Sequence, residues 1–229
     1  MPYIQVIKSY PPRRWGIFGF KESGKTAFLA AMNGPILLID AEGRSARELS
    51  MLDTEVFALS SNPMDHHDPL RIYQILRQNG AGPAKTVAVD SLTSIFSPIN
   101  AESMQNAKTA KNKASVWVDK AGFFRLIQDA VSGCGVDAAF IWHRENNMNA
   151  KGEKDSHPTI SDPDLEKLKR SLNAIIGLYK HNNGSRSAKV VWSRNGPSGM
   201  AFKDEEGYWK GVPEKIDAAI NGYQFNQAN

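Results

Sequence analysis

A stretch near the amino terminus, Trp15-Gly16-Ile17-Phe18-Gly19-Phe20-Lys21-Glu22-Ser23-Gly24-Lys25-Thr26, gathers the residue types needed to hold phosphate. Gly19, Gly24, Lys25 and Thr26 complete the pattern G-x-x-x-x-G-K-[ST]. Small residues let consecutive backbone N–H groups turn inward around phosphate oxygens, and a following helix adds its positive end. Lys25 is a point charge for the β- and γ-phosphates, and the Thr26 hydroxyl is a ligand for Mg²⁺. Phe20, Lys21, Glu22 and Ser23 fill the loop and Ala27 follows it, so Gly19 to Ala27 are the predicted nucleotide contacts. The bland reading of the same residues is a glycine turn between a strand and a helix.

Two carboxylates and a histidine fall where such a site needs them. Val87-Ala88-Val89-Asp90 has the form of an apolar strand ending in an Asp that reaches the Mg²⁺ side of the phosphates; an ordinary strand-end cap reads the same. Ile36-Leu37-Leu38-Ile39-Asp40 ends at Ala41-Glu42-Gly43, at the carboxyl edge of a sheet where α/β ligands sit. A carboxylate at Glu42 can orient and deprotonate an attacking water, or be a surface charge; Asp40 is expected to bond within the turn. Phe140-Ile141-Trp142-His143 ends a further strand with a side chain whose charge depends on pH, or which simply caps it.

The elements that must position these residues are legible as alternation. Trp15–Phe18, Ile36–Asp40, Val56–Leu59, Thr86–Asp90 and Val136–Trp142 read as strands, the continuous apolar runs among them as strands covered on both faces. Helices are expected over Ala27–Met32, Gly43–Leu52, after His66-His67-Asp68-Pro69, and over Val116–Val131 with Trp117, Phe124 and Ile127 facing the core. Ser91 to Ser115 reads as a helix start running into a mobile loop, and residues 144–163 as a polar, turn-rich connection. Ile175–Tyr179, Lys189–Ser193 and Gly199–Phe202 follow as hairpin-like strands. The sum is one mainly parallel sheet, helices on both faces, with added C-terminal antiparallel strands. The His66-His67 pair between Asp65 and Asp68 is expected in solvent and not on a metal.

The totals agree with one domain. The chain has 229 residues, 41% hydrophobic, and a formal charge of +4, with a mean hydropathy of −0.42. Its one cysteine, Cys134, excludes an intramolecular disulfide and suits a reducing cytoplasm. No apolar run reaches membrane-spanning length, and the start lacks a secretory pattern. The mild basic surplus is compatible with a nucleic-acid partner without demanding one.

Taken together, these motifs resemble the RecA/DnaB-type P-loop ATPase core over roughly residues 13–212. That resemblance implies ATP and Mg²⁺, Glu42 as the catalytic glutamate, and His143 as γ-phosphate sensor, where the family commonly has Gln. Ser193-Arg194-Asn195-Gly196-Pro197-Ser198-Gly199 resembles the Arg-Asn-Gly-Pro-Thr-Gly turn of DnaB-type motors and implies Arg194 as a finger acting on a neighbour's nucleotide. Trp192 stands where the family usually has a second cation. Asn-Gly-Pro makes a hairpin turn regardless of function.

The family's two DNA-binding loops map onto Asn106–Ser115, with Lys108, Lys111 and Lys113, and Arg144–Pro163, with Arg144, Lys151 and Lys154. Solvated loops have the same composition, and neither contains an aromatic residue, although Trp117 lies near the first. A bare core of this length is similar to the short phage-encoded RecA-like proteins of the Sak group. The expectation is a cytoplasmic RecA-like ATPase domain spanning 1–229, with a lead at 1–12 and a flexible tail at 224–229. It would form a homo-oligomeric ring or filament, bind single-stranded DNA, and assist annealing or strand exchange. A nucleotide-driven assembly or regulatory switch that binds protein, and a helicase motor subunit, remain open.

Overall fold

The computed structural model describes residues 12–112, 116–148 and 154–227, with side chains throughout these ranges except at 147–148, 154–157 and 223–227. Strand β1 (Arg14–Gly19) lies between two parallel neighbours, and every residue after Arg14 is buried. The short helix α1 (Lys25–Ala30) leads to β2 (Ile36–Asp40), then α2 (Ser45–Ser50), β3 (Val56–Ala58) and α3 (Pro69–Asn79). Strand β4 (Thr86–Asp90) is buried at all its positions, as its unbroken apolar run requires of a strand covered on both faces. Two long helices follow, α4 (Leu92–Thr109) and α5 (Val116–Gly133), then β5 (Asp137–Met148), β6 (Lys154–Pro158) and α6 (Asp162–Lys169). The chain closes with β7 (Ala174–Lys180), β8 (Arg186–Ser193), β9 (Ala201–Lys203) and α7 (Val212–Gln227).

The sheet runs β3-β2-β4-β5-β1-β7-β8-β9, with β6 paired to β5 off this path. Pairings from β3 through β7 are parallel; β8 and β9 are antiparallel additions, as the sequence led one to expect. Side chains alternate across each strand, so the sheet feeds two cores. Phe18, Ile39, Val87, Val89, Phe140 and Trp142 face one side, under α3, α4 and α5. Trp15, Ile17, Leu38, Ala88, Ile141 and Ile176 face the other, with Phe28 and Leu29 of α1 and Ile216 and Ile220 of α7. Gly16 fits because a Cβ there would stand 2.5 Å from the Trp142 ring.

Several elements depart from the sequence reading. The Ser/Asn/Lys-rich stretch after Ser91 is not a helix start fading into a loop: α4 persists to Thr109, with Pro98 in its interior. Ser91 caps it by accepting from Ser94 N, and Leu92, Ile95 and Phe96 anchor its first turns in the core. Residues 144–163 are no structureless connection either, since β5 continues beyond the sheet and pairs with β6 from Arg144↔Pro158 to Met148↔Lys154. Helix α6 then opens with Ser161 accepting from Asp164 N. The backbone is helical to Gln227, so the tail expected from 224 begins as the end of α7. His66 is buried, not solvated: its Nδ1 accepts from Asp40 N at 2.9 Å and its Nε2 bonds Ser60 O.

Candidate functional site

The glycine loop begins where β1 reaches the carboxyl edge of the sheet. Gly19 is packed so closely that a Cβ would stand 2.3 Å from Ser23 Oγ and 2.7 Å from the Leu178 carbonyl. Gly24, at φ 87° and ψ 31°, adopts the left-handed conformation that favours glycine and caps α1. Ser23 Oγ is buried and finds no hydrogen-bond partner among the described residues. Lys25 is buried, its ammonium donating to the carbonyls of Gly19 (3.3 Å) and Phe20 (3.0 Å). Burial lowers its pKa, while Asp90 and Glu42 pull the other way.

Across from Lys25, β2 and β4 deliver the carboxylates. Asp90 is 3% exposed, accepts from Ser45 Oγ at 2.7 Å, and has its pKa raised to about 6, first by desolvation. A buried carboxylate short of hydrogen-bond donors and a threonine hydroxyl lining the same cavity are the oxygens a small hard cation takes. The residues therefore fit Mg²⁺, and Thr26 and Asp90 supply the oxygens that would hold it. Asp40 turns inward as expected, accepting from Gly43 N (2.8 Å) and Ala46 N (3.0 Å).

Glu42 sits at the centre of a polar line. Its Oε1 meets His143 Nε2 in a short contact and accepts from Ser91 Oγ at 3.0 Å; its Oε2 pairs with Arg44 at 2.8 Å. The His143 hydrogen bond is the chief cause holding its pKa at about 2. The His143 backbone N–H donates to Thr93 Oγ1 (3.1 Å) and Thr159 Oγ1 (3.2 Å), and those hydroxyls lie 2.6 Å apart. Strand ends β2 and β5 and the first turn of α4 are thus tied around one carboxylate.

A cavity of about 560 Å³ gathers Lys21, Glu22, Gly24, Lys25, Thr26, Ala27, Glu42, Asp90 and His143. The same cavity holds residues that sequence reasoning missed: Arg44, Glu48, Lys180, Arg186 and Tyr208. Lys180, at the end of β7, pairs with Glu22 at 3.0 Å. Arg186 opens β8 opposite Lys180, and its buried Nε finds no partner among the described residues. Tyr208 is 67% exposed beside Trp209, which is fully buried and donates from Nε1 to the Gly24 carbonyl at 2.9 Å. Trp209 also stands edge-on to Phe28 of α1, with ring centroids 5.6 Å apart. A residue 185 positions downstream thereby fixes the loop's key glycine, and no local motif announces it.

The remaining predicted residues stand elsewhere. Arg194 spends its guanidinium within its own chain, donating to the carbonyls of Leu172 (2.9 Å), Lys169 (2.7 Å) and Arg170 at the end of α6. Lys108 is exposed in the last turn of α4, and Lys111 is exposed just beyond it. Arg144 is half-buried with its guanidinium over the rings of Phe18 (5.9 Å) and Phe20 (5.8 Å). It therefore braces the base of the phosphate loop. Lys113 and Lys151 lie outside the described residues, and Lys154 is described in backbone only, as the first residue of β6. Among the described residues no group of three or more His, Cys, Asp and Glu side chains could hold a metal ion, and no helix is long and apolar enough to cross a membrane.

No family model matches the chain, and no curated protein matches it. Solved structures resemble it, two of which illustrate the likeness. One is a RadB recombinase, with a TM-score of 0.48 and 15% identity, covering 84% of this chain and 86% of that one. The other is a KaiC-like protein from the hyperthermophilic archaeon Pyrococcus horikoshii OT3, with a TM-score of 0.48 and 14% identity, covering 90% of this chain and 97% of that one. Likenesses this distant leave the reading of the site to its own geometry.

Proposed function

We propose that this chain is a Mg²⁺-dependent ATPase of the RecA-like kind that couples nucleotide hydrolysis to single-stranded DNA. The observation that carries the ATPase reading is convergence: the glycine loop, Lys25, Thr26, Asp90, Glu42 and His143 all line one cavity although they lie on or just after four different strands. Lys25 exchanges its loop carbonyls for phosphate oxygens. Thr26 and Asp90 would hold Mg²⁺, which when bound would supply charge neutralisation to those oxygens. Glu42 orients and activates water once its bond to His143 loosens, because a carboxylate held at a pKa of about 2 is a weak base. His143 senses the γ-phosphate through that bond. Tyr208 offers an exposed ring at the cavity rim for the nucleotide base, and Arg186 a cation that needs no partner subunit. Arg194 serves a neighbour's nucleotide in an oligomer only by giving up its bonds to the end of α6.

The DNA part of the reading rests on the exposed Lys108 and Lys111 at the end of α4, and on the resemblance to RecA-like recombination proteins of the Sak group, which annealing or strand exchange would suit. The test is the ATPase rate with and without single-stranded DNA across a salt series, alongside Lys25→Ala. Stimulation that fades with salt supports phosphate contacts. Lys25-dependent hydrolysis indifferent to DNA removes the DNA part and favours a nucleotide switch acting on a protein.

A further inference from the structure

A second cavity, of about 540 Å³, opens beyond the Thr93–Thr159 contact. We propose that it receives an unstacked base of single-stranded nucleic acid, an inference that rests on the DNA-binding reading above. One wall is a single face of α4: Thr93, Ser97, Asn100 and Met104 fall three or four residues apart and lie above one another. The opposite wall is the first turns of α5, with Trp117 and Lys120, and the floor runs from Pro158 to Asp164.

The lining suits a neutral planar ring. Trp117 is half-buried at the cavity with the Lys120 ammonium 5.7 Å from its ring centre. Lys120 is neutralised by Asp164 at 2.6 Å, and Lys167 adds a 3.4 Å contact to the same carboxylate. Glu145 supplies the remaining charge, so the formal charges of the wall cancel and a phosphate gains nothing by entering. Asn100 lines the cavity, and its Oδ1, buried with no partner among the described residues, becomes an acceptor for the N–H that every base carries on its pairing edge once the side chain turns outward. Outward along the same α4 face, four residues beyond Met104, stands the exposed Lys108, placed for the backbone phosphate of the nucleotide whose base is inside. At its inner end the cavity touches Thr93 and Thr159, which hold His143 and through it Glu42. An occupied base pocket thus abuts the group that faces the γ-phosphate side of the nucleotide site.

The test compares binding of a fluorescein-labelled oligothymidylate with that of a strand of equal length and charge bearing abasic sites, in Mg²⁺ and a non-hydrolysable ATP analogue. The wild type should prefer the base-bearing strand by about tenfold, within what stacking on one aromatic side chain supports. Trp117→Ala should abolish the preference while both strands keep the same salt dependence, and Trp117→Phe should retain most of it. Asn100→Leu, which keeps the cavity filled but removes the acceptor, should reduce the preference without touching abasic binding. Thermal melting checks that each variant is folded. Equal binding of both strands by the wild type overturns the base pocket and leaves the DNA reading standing. Binding of neither strand overturns both, and a Trp117→Ala loss equal for both strands assigns Trp117 a structural role.

Discussion

Asp90→Asn should make the protein more stable and inactive at once. Ionised Asp90 is a buried charge with one hydroxyl donor, and burial raises its pKa from 3.8 to about 6. That shift is about two pKa units at about 1.4 kcal/mol each, so holding the charge at neutral pH costs about 3 kcal/mol. Asparagine keeps an oxygen to accept from Ser45 but adds an NH₂ whose desolvation offsets about 1 kcal/mol, so a net gain of about 2 kcal/mol is expected. For a chain of this size that is about 4–8 °C in melting temperature at pH 7.5, without nucleotide or Mg²⁺. The pH dependence has a fixed sign. Between 3.8 and about 6 the folded chain keeps a proton the unfolded chain has lost, so wild-type stability falls as pH rises through that window and levels off above it. The variant lacks this slope, and its advantage should shrink towards zero at pH 4. Carboxylates remote from Asp90 cancel in the comparison. Mg²⁺ with ATP should raise the melting temperature of the wild type far more than that of the variant, whose hydrolysis should be lost. A variant that melts below the wild type at pH 7.5, or an advantage constant between pH 4 and 7.5, would refute the burial argument.

Trp209→Phe should lower the melting temperature modestly and weaken nucleotide binding several-fold, since it keeps the packing on Phe28 but frees the Gly24 carbonyl; calorimetric titration with an ATP analogue measures it, and unchanged affinity would show that the loop holds its own shape. His143→Ala should let the Glu42 pKa rise from about 2 back towards 4.5, and ATP turnover should lose its response to DNA; a variant whose response survives would remove His143 from the coupling. Arg194→Ala should cost about 1–3 kcal/mol of stability, because three carbonyls at the end of α6 lose a charged donor. If its hydrolysis falls in mixed oligomers while its melting temperature is unchanged, the finger role stands over the structural one.

The buried strands were legible because a strand covered on both faces must be apolar throughout: Ile36–Asp40 and Thr86–Asp90 have the same ends in sequence and structure. What escaped were elements whose stability is borrowed. Helix α4 buries Leu92, Ile95, Phe96 and Ser103, so most of its length is polar and reads as loop; Asn and Ser there obscure a helix that its first turns anchor. The β5–β6 arm has no hydrophobic alternation because it extends past the core, and its pairing is carried by backbone hydrogen bonds that leave no trace in residue type.

The site divides along the same line. Residues that act through a local pattern, from Gly19 to Thr26 and at the ends of β2 and β4, could be found because spacing along the chain equals spacing in the fold. Residues that act from across the sheet could not. Arg186 and Lys180 reach the nucleotide cavity because β7 runs parallel to β1 and β8 returns beside it, so a hairpin far along the sequence ends over the phosphate loop. Trp209 reaches Gly24 because Gly207, Tyr208 and Trp209 all adopt positive φ, at 81°, 52° and 62°, and turn the chain back under the loop. Left-handed backbone at a tyrosine and a tryptophan is costly, and it persists where surrounding packing over-determines it. Here the return is a buried indole against Phe28, a clamped glycine, and an aromatic ring left exposed at the cavity rim. The two C-terminal strands and this turn therefore belong to the proposed nucleotide site as much as the loop does, and cutting the chain after β7 should abolish nucleotide binding even though every residue of the glycine motif remains.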